Sequence, residues 1–182
     1  TMKFLEKYGR ALLVITLIVA SAYIRTQKYL PNVSPITAMA LFGGATLASP
    51  WSFAVPLFAQ LASDIFIGFD ALPITYAIYG SFVLTVLLGM WLKHKRSPWR
   101  IILASLGSST IFYLITNAAV WKFSKLYPPT FDGLVLSYVY AIPFFRNTLF
   151  GDMAYVFSFF LVLEFAPVLV KAVHRLAKQA SV

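Results

Sequence analysis

Long apolar stretches follow one another along this chain, each closed by a brief polar or proline-bearing break. None shows the alternation of a barrel strand, and most reach the 17 to 25 residues or so that a helix needs to cross about 30 Å of hydrocarbon. The pattern predicts six helices, approximately 10–24, 34–48, 51–69, 73–92, 99–121 and 146–170. The breaks between them are a linker over 25–33 containing Pro31, the Ser49-Pro50 pair, the tight link at 70–72, a basic loop at 93–98, and a long connection over 122–145. Leu134, Val135, Tyr138, Ile142 and Phe145 share one face of a short helix in that connection, which suits a lid over the outer mouth or a helix lying at the interface.

Composition turns this pattern into a class. With 60% hydrophobic and 12% charged residues, and a mean hydropathy of +0.79, the chain is too apolar for a soluble domain. It reads as one all-α transmembrane domain over residues 1–182, with the lipid bilayer as its solvent. The first apolar run follows Lys3, Lys7 and Arg10, is long, and lacks a small-residue cleavage site, so a retained helix is expected rather than a cleaved signal. The absence of cysteine rules out disulfides, thiolate metal sites and a cysteine nucleophile. His94 and His174 fall in basic loops or tails, and no metal or other cofactor is expected.

Charge sets the orientation. Six spans place both termini on one side, and that side collects ten of the fifteen basic residues, at 3–10, 93–100 and 171–178. Lysine and arginine accumulate in cytoplasmic loops, so both termini are expected in the cytoplasm. The same rule accounts for the net charge of +9 and for the run from Lys93 to Arg96, without a nucleic-acid partner.

Against this background, Asp64, Asn117, Arg146 and Asp152 stand out as polar groups within or beside apolar runs. At 1.5 Å per residue they fall near one outer level on the third, fifth and sixth helices, with Asp152 about one and a half turns deeper, which suggests a pocket open to the outside. Such groups pair with one another or face a wet cavity. Arg146 and Asp152 are six residues apart, about 120° out of alignment on an ideal helix, so a bridge from Arg146 to Asp64 is the better expectation. Gln60 and Asp64 share one helix face, Asn147 adjoins Arg146, and Trp121 and Tyr138 offer aromatic cover at the mouth. The candidate binding set is therefore Gln60, Asp64, Asn117, Trp121, Tyr138, Arg146, Asn147 and Asp152, with helix stapling as the alternative role. Ala40, Gly44 and Ala48 recur every fourth residue and predict close packing of the second helix.

Several separated segments carry a resemblance: PITAMALFGGATL at 35–47, LASDIFIG at 61–68, the Thr116-Asn117 pair, and IPFFRNTLFGD at 142–152. Together they resemble a family of small bacterial membrane proteins of uncharacterised function, itself similar to the substrate-binding S components of energy-coupling factor (ECF) vitamin transporters. The resemblance spans nearly the whole chain. It implies a six-helix S-component-like bundle in the bacterial cytoplasmic membrane, a vitamin-like ligand near the outer face, and an ECF transmembrane partner with ATPases. No phosphate-binding loop occurs in the chain, so ATP hydrolysis would reside in those partners. Departing from the pattern, the alanines that mark partner docking on the first helix are approximated only by Thr16 and Ala20. Solitary cobalamin carriers of that group use a cysteine on cobalt, which is missing here.

Uptake of a small polar or vitamin-like solute is thus the first expectation, without catalysis by this chain. A membrane enzyme using Asp64, Arg146 and Asp152 for acid–base chemistry is the second, and a structural or assembly protein the third.

Overall fold

The computed structural model describes residues 2–27, 33 and 35–180, with side chains over 8–27, 33, 35, 37–166 and 168. It is all-helical: α1 (Met2–Thr26), α2 (Ile36–Thr46), α3 (Trp51–Ile67), α4 (Leu72–His94), α5 (Pro98–Phe123) and α6 (Phe131–Ala180). Four of these contain stretches long and apolar enough to cross a bilayer: Tyr8–Thr26, Leu72–His94, Pro98–Phe123 and Phe131–Ala166. The outside of the bundle is apolar, with Phe58, Phe66, Leu72 and Tyr76 all at least two-thirds exposed, as expected where lipid is the solvent.

The short α2 lies at the centre and touches all five other helices. Ala38 to Phe42 and Ala45 have no exposed surface, and Phe42 packs on Phe159 and Phe160 of α6 with ring centroids 5.2 and 5.3 Å apart. The sequence explains why so short an element can be buried on every side. Its eleven residues, ITAMALFGGAT, include no ionisable group, and its glycines face its nearest neighbours. A β-carbon on Gly44 would lie 3.0 Å from the Val86 carbonyl carbon and 3.1 Å from Gly89 Cα. One on Gly89 would lie 2.9 Å from the backbone nitrogen of Ala45 and 2.9 Å from Gly44 Cα. At this α2–α4 crossing the two backbones themselves are in contact. Ala40 is fully buried against Phe82 and Val86, whereas Ala48 is exposed and lies beyond the helix end. The expected four-residue ridge therefore stops at Gly44. Asn32, in the expected linker, and Ser34, at the expected start of this helix, lie outside the described residues.

Two further boundaries differ from expectation. Arg25, placed by sequence in a linker, belongs to the last turn of α1, because that helix continues through polar residues to Thr26. The connection over 122–145 is mostly helix, and it is continuous with the helix expected at 146–170. Pro143 removes one N–H donor and crowds the carbonyl four residues earlier, which ends many helices in water. Transmembrane helices tolerate such a proline when neighbouring helices hold the segment in place. Here α5 does so. Tyr113 Oη donates to the Tyr138 carbonyl at 2.7 Å, Tyr138 Oη donates to the Leu114 carbonyl at 2.9 Å, and the Tyr113 and Phe145 rings stack at 4.3 Å. The segment expected as a lid or an interfacial helix thus forms the first turns of α6, packed along α5.

Candidate functional site

The polar residues do not converge on one pocket. They form three separate arrangements. The first surrounds Asp64 on α3, which is only 5% exposed. Arg25 Nη1 donates to Asp64 Oδ1 at 2.5 Å and also reaches Ser63 Oγ. Gln60 Nε2 contacts both carboxylate oxygens, at 3.2 and 3.1 Å, and Tyr79 Oη on α4 donates to Oδ2 at 2.8 Å. Asp64 therefore carries a cation and three donor contacts and joins α1, α3 and α4. The bridge expected from Arg146 is made by Arg25 instead. Arg146 is exposed on α6 and forms no ion pair among the described residues. A carboxylate satisfied in this way is a staple between helices.

The second arrangement surrounds Asp152 on α6, 1% exposed. Ser109 Oγ on α5 lies 2.7 Å from Asp152 Oδ2, while Oδ1 has no hydrogen-bond partner among the described residues. The Thr37 hydroxyl and the Ala38 N–H, in the first turn of α2, also face this carboxyl group without completing a bond to Oδ1. Pro35 supplies no side-chain cap to α2, so Asp152 stands where a capping side chain would otherwise serve the helix N-terminus. At the other end, Lys93 Nζ donates to the Leu47 carbonyl at 2.8 Å and Arg96 Nη2 to the Ala45 carbonyl at 2.5 Å. Burial, followed by the nearby Arg10, lowers the Arg96 pKa from its ordinary value, and Glu164 opposes the shift. The central helix thus has a carboxyl group at its positive end and two cations at its negative end, all borrowed from other segments.

The third is a cleft of about 300 Å³ between α5 and α6, lined by Phe112, Tyr113, Thr116, Asn117, Ala141, Phe144, Phe145 and Thr148. That is the lower end of the range for small-molecule sites. Aromatic faces form its walls. The Asn117 side-chain NH₂ donates to the Tyr113 carbonyl at 2.8 Å, which fixes the amide orientation, and its amide oxygen has no partner among the described residues. The Thr116 hydroxyl donates to the Phe112 carbonyl, leaving its own lone pairs as acceptors. Trp121 donates its indole N–H to the Pro128 carbonyl at 2.9 Å, and Tyr138 is half-buried behind Tyr113. Asn147 is half-buried and bonded elsewhere in the protein. A second groove of the same size, between α1 and α3, is walled by apolar side chains including Val19, Val55 and Phe58.

Depth explains the separation. Asn117 lies eight residues beyond Ser109 on α5, about 12 Å along the axis, so it is well separated from the Ser109–Asp152 contact, although the cleft lining begins at Phe112 and Thr148, about one turn from that contact. Arg146 and Asp152 are likewise about 9 Å apart in height. Arg25, Tyr79 and Ser109 were not in the candidate binding set read from the sequence. Arg25 gave a signal, as a basic residue at the end of an apolar run, but tyrosine and serine are common in such helices. Among the described residues no three His, Cys, Asp or Glu side chains gather as a metal site would require.

Apolar surface outside and paired polar groups within define a helical membrane protein, with four helices long enough to span. Residues 6–175 match DUF6580, a family of unknown function, and the chain belongs to that family. No curated protein and no solved structure matches it.

Proposed function

We propose that this protein is a membrane-embedded binding and uptake subunit for a small polar or vitamin-like solute, S-component-like in plan, with the α5–α6 cleft as the solute site. Six helices then cross or enter the bacterial cytoplasmic membrane, with both termini in the cytoplasm and the cleft toward the outside. The observation that carries this reading is the cleft itself: stacked aromatic walls around a fixed amide oxygen at Asn117 that has no partner among the described residues. Such a surface suits a flat solute that carries N–H or O–H donors. An ECF-type transmembrane partner and ATPases would supply the energy, since this chain has no phosphate loop. Orientation is supported by the basic residues near the α4–α5 turn, where Lys93, Lys95, Arg96 and Arg100 gather.

The geometry changes the roles first expected. Asn117 stays at the centre of the site, Asp64 and Gln60 act as structural staples, and Arg146 stands outside the cleft lining. The experiment is native mass spectrometry of the detergent-purified protein with identification of any bound compound, repeated on Asn117→Leu. A chemically unchanged, stoichiometric compound that is lost in the variant supports the reading. A protein that is empty, and that no vitamin stabilises in a thermal-shift screen, overturns it.

A further inference from the structure

Of the two buried carboxyl groups among the described residues, Asp64 has a cation beside it and Asp152 has none there. Asp64, at similar burial, has Arg25 at 2.5 Å, whereas no ion pair reaches Asp152 among the described residues. α2, packed on one side, has no ionisable residue. On α5 the nearest titratable group along the same face is Tyr113, one turn toward the cleft and committed to the Tyr138 carbonyl. On α6 itself, Tyr155 follows by three residues and Arg146 is exposed six residues before. On α1, Arg10 pairs with Glu164, three turns further along α6. A carboxylate enclosed in this way, with no opposite charge, is disfavoured against its neutral form.

A count of protons points the same way. Ser109 Oγ is 3.0 Å from the Ser105 carbonyl and 2.7 Å from Asp152 Oδ2. A hydroxyl has one proton to donate, and both of these neighbours are acceptors when Asp152 is ionised. If Asp152 carries a proton on Oδ2, both contacts become hydrogen bonds: Asp152 donates to Ser109 Oγ, and Ser109 donates to the Ser105 carbonyl. The hydroxyls of Ser105 and Ser108 are also buried without partners among the described residues, on the face of α5 that includes Ser109.

We propose that Asp152 is a proton-binding site, loaded and emptied through the α5–α6 cleft. Ser109 lies one turn inward from Phe112 and Tyr113, and Asp152 one turn inward from Thr148, so the site continues the two helix faces that line the cleft. On release, the O–H bond at Oδ2 breaks, the proton passes to water at the inner end of the cleft, and the Ser109 hydroxyl turns its own proton to the carboxylate. On loading, the steps reverse. The partial positive end of α2, at Thr37 and Ala38, favours the ionised form and opposes a second bare cation there, so protonation can be reversible without a metal ion in its place. The proposal rests on the cleft's position and stands whether or not a solute binds in it.

The test is infrared difference spectroscopy of the full chain in liposomes between roughly pH 5 and 8, a range accessible to biological gradients. A carboxylic-acid carbonyl band that gives way to carboxylate signal as pH rises is expected. Asp152→Asn should abolish it, and Asp64→Asn should leave it. Should Asp152→Asn fail to fold, Ser109→Ala keeps the carboxyl group and is expected to move the band by removing its hydrogen-bond partner. Carboxylate signal alone throughout would make Asp152 a permanently ionised cap of α2 and overturn the proposal. An acid band that never titrates would overturn it as well, and so would a band that responds to sodium ions but not to pH.

Discussion

The α2–α4 crossing supports a test in which two physical effects predict opposite signs. Replacing a helical glycine by alanine removes backbone freedom from the unfolded chain and stabilises a helix by about 0.5 to 1 kcal/mol where space allows. That condition holds at Gly80, with nothing within 4 Å of an added β-carbon, and at Gly107, whose nearest neighbour would be Leu88 Cδ1 at 3.7 Å. It fails at Gly89, where the same methyl would sit 2.9 Å from the Ala45 nitrogen and still closer to the Leu41 carbonyl oxygen, against 3.4 Å or more for ordinary contact. Both obstacles are backbone, so no rotamer can relieve them, and the helices must part by roughly an ångström in a core packed at crystal density. Overpacking of this kind costs about 1 to 3 kcal/mol, and rigid neighbours on both sides place Gly89→Ala and Gly44→Ala toward the upper end. Reversible unfolding in mixed micelles, followed by circular dichroism as denaturing detergent is added, gives the comparison directly. Gly80→Ala and Gly107→Ala should match or exceed the parent protein while the other two fall below it. If Gly89→Ala were as stable as Gly107→Ala, the backbone contact would not exist as described.

Removing the cation from the Asp64 cluster, by Arg25→Met, leaves a buried carboxylate without its partner and should cost about 3 to 5 kcal/mol in the same assay. The double variant Arg25→Met with Asp64→Leu should recover much of that loss; strictly additive losses would refute the pairing. At the other end of the bundle, Lys93→Met combined with Arg96→Met strips both cations from the Leu47 and Ala45 carbonyls. Each such contact is worth about 0.3 to 1 kcal/mol, up to about 2 when partly buried. Amide hydrogen exchange should accelerate over the last turn of α2 and not in α5, and unchanged protection of that turn would count against the capping role.

Much of the helical plan was legible in the chain because lipid leaves few options: long apolar runs become helices, and proline-bearing breaks separate most of them. α3, α4 and α5 fall within two residues of their expected ends. Sequence misled at Pro143, where a local rule learned from helices in water was outweighed by Tyr113, Tyr138 and Phe145 holding α6 against α5. At the site, sequence marked Asp64, Asn117 and Asp152 as unusual, since each is costly in an apolar setting whatever its partner. It misassigned the partner of Asp64, because pairing depends on which helices adjoin. Arg25 and Arg146 are equally basic, and only the packing of α1 against α3 distinguishes them. The common outer level inferred from residue counts failed for the same reason, because the count assumed that every helix begins at one plane and that α6 begins at Arg146.

The enclosure of α2 has a consequence for biogenesis. At eleven residues it is about 16 Å long, half the thickness of the hydrocarbon layer, so it cannot be threaded across as an independent span. It leaves the ribosome directly after α1, yet the groups that satisfy its ends are made much later: Lys93 and Arg96 some fifty residues on, and Asp152 more than a hundred. Until α6 has been synthesised, the nascent chain holds this helix without the carboxyl group that faces its first turn. The surroundings of α2 are therefore complete only once α6 has been made and has closed against it.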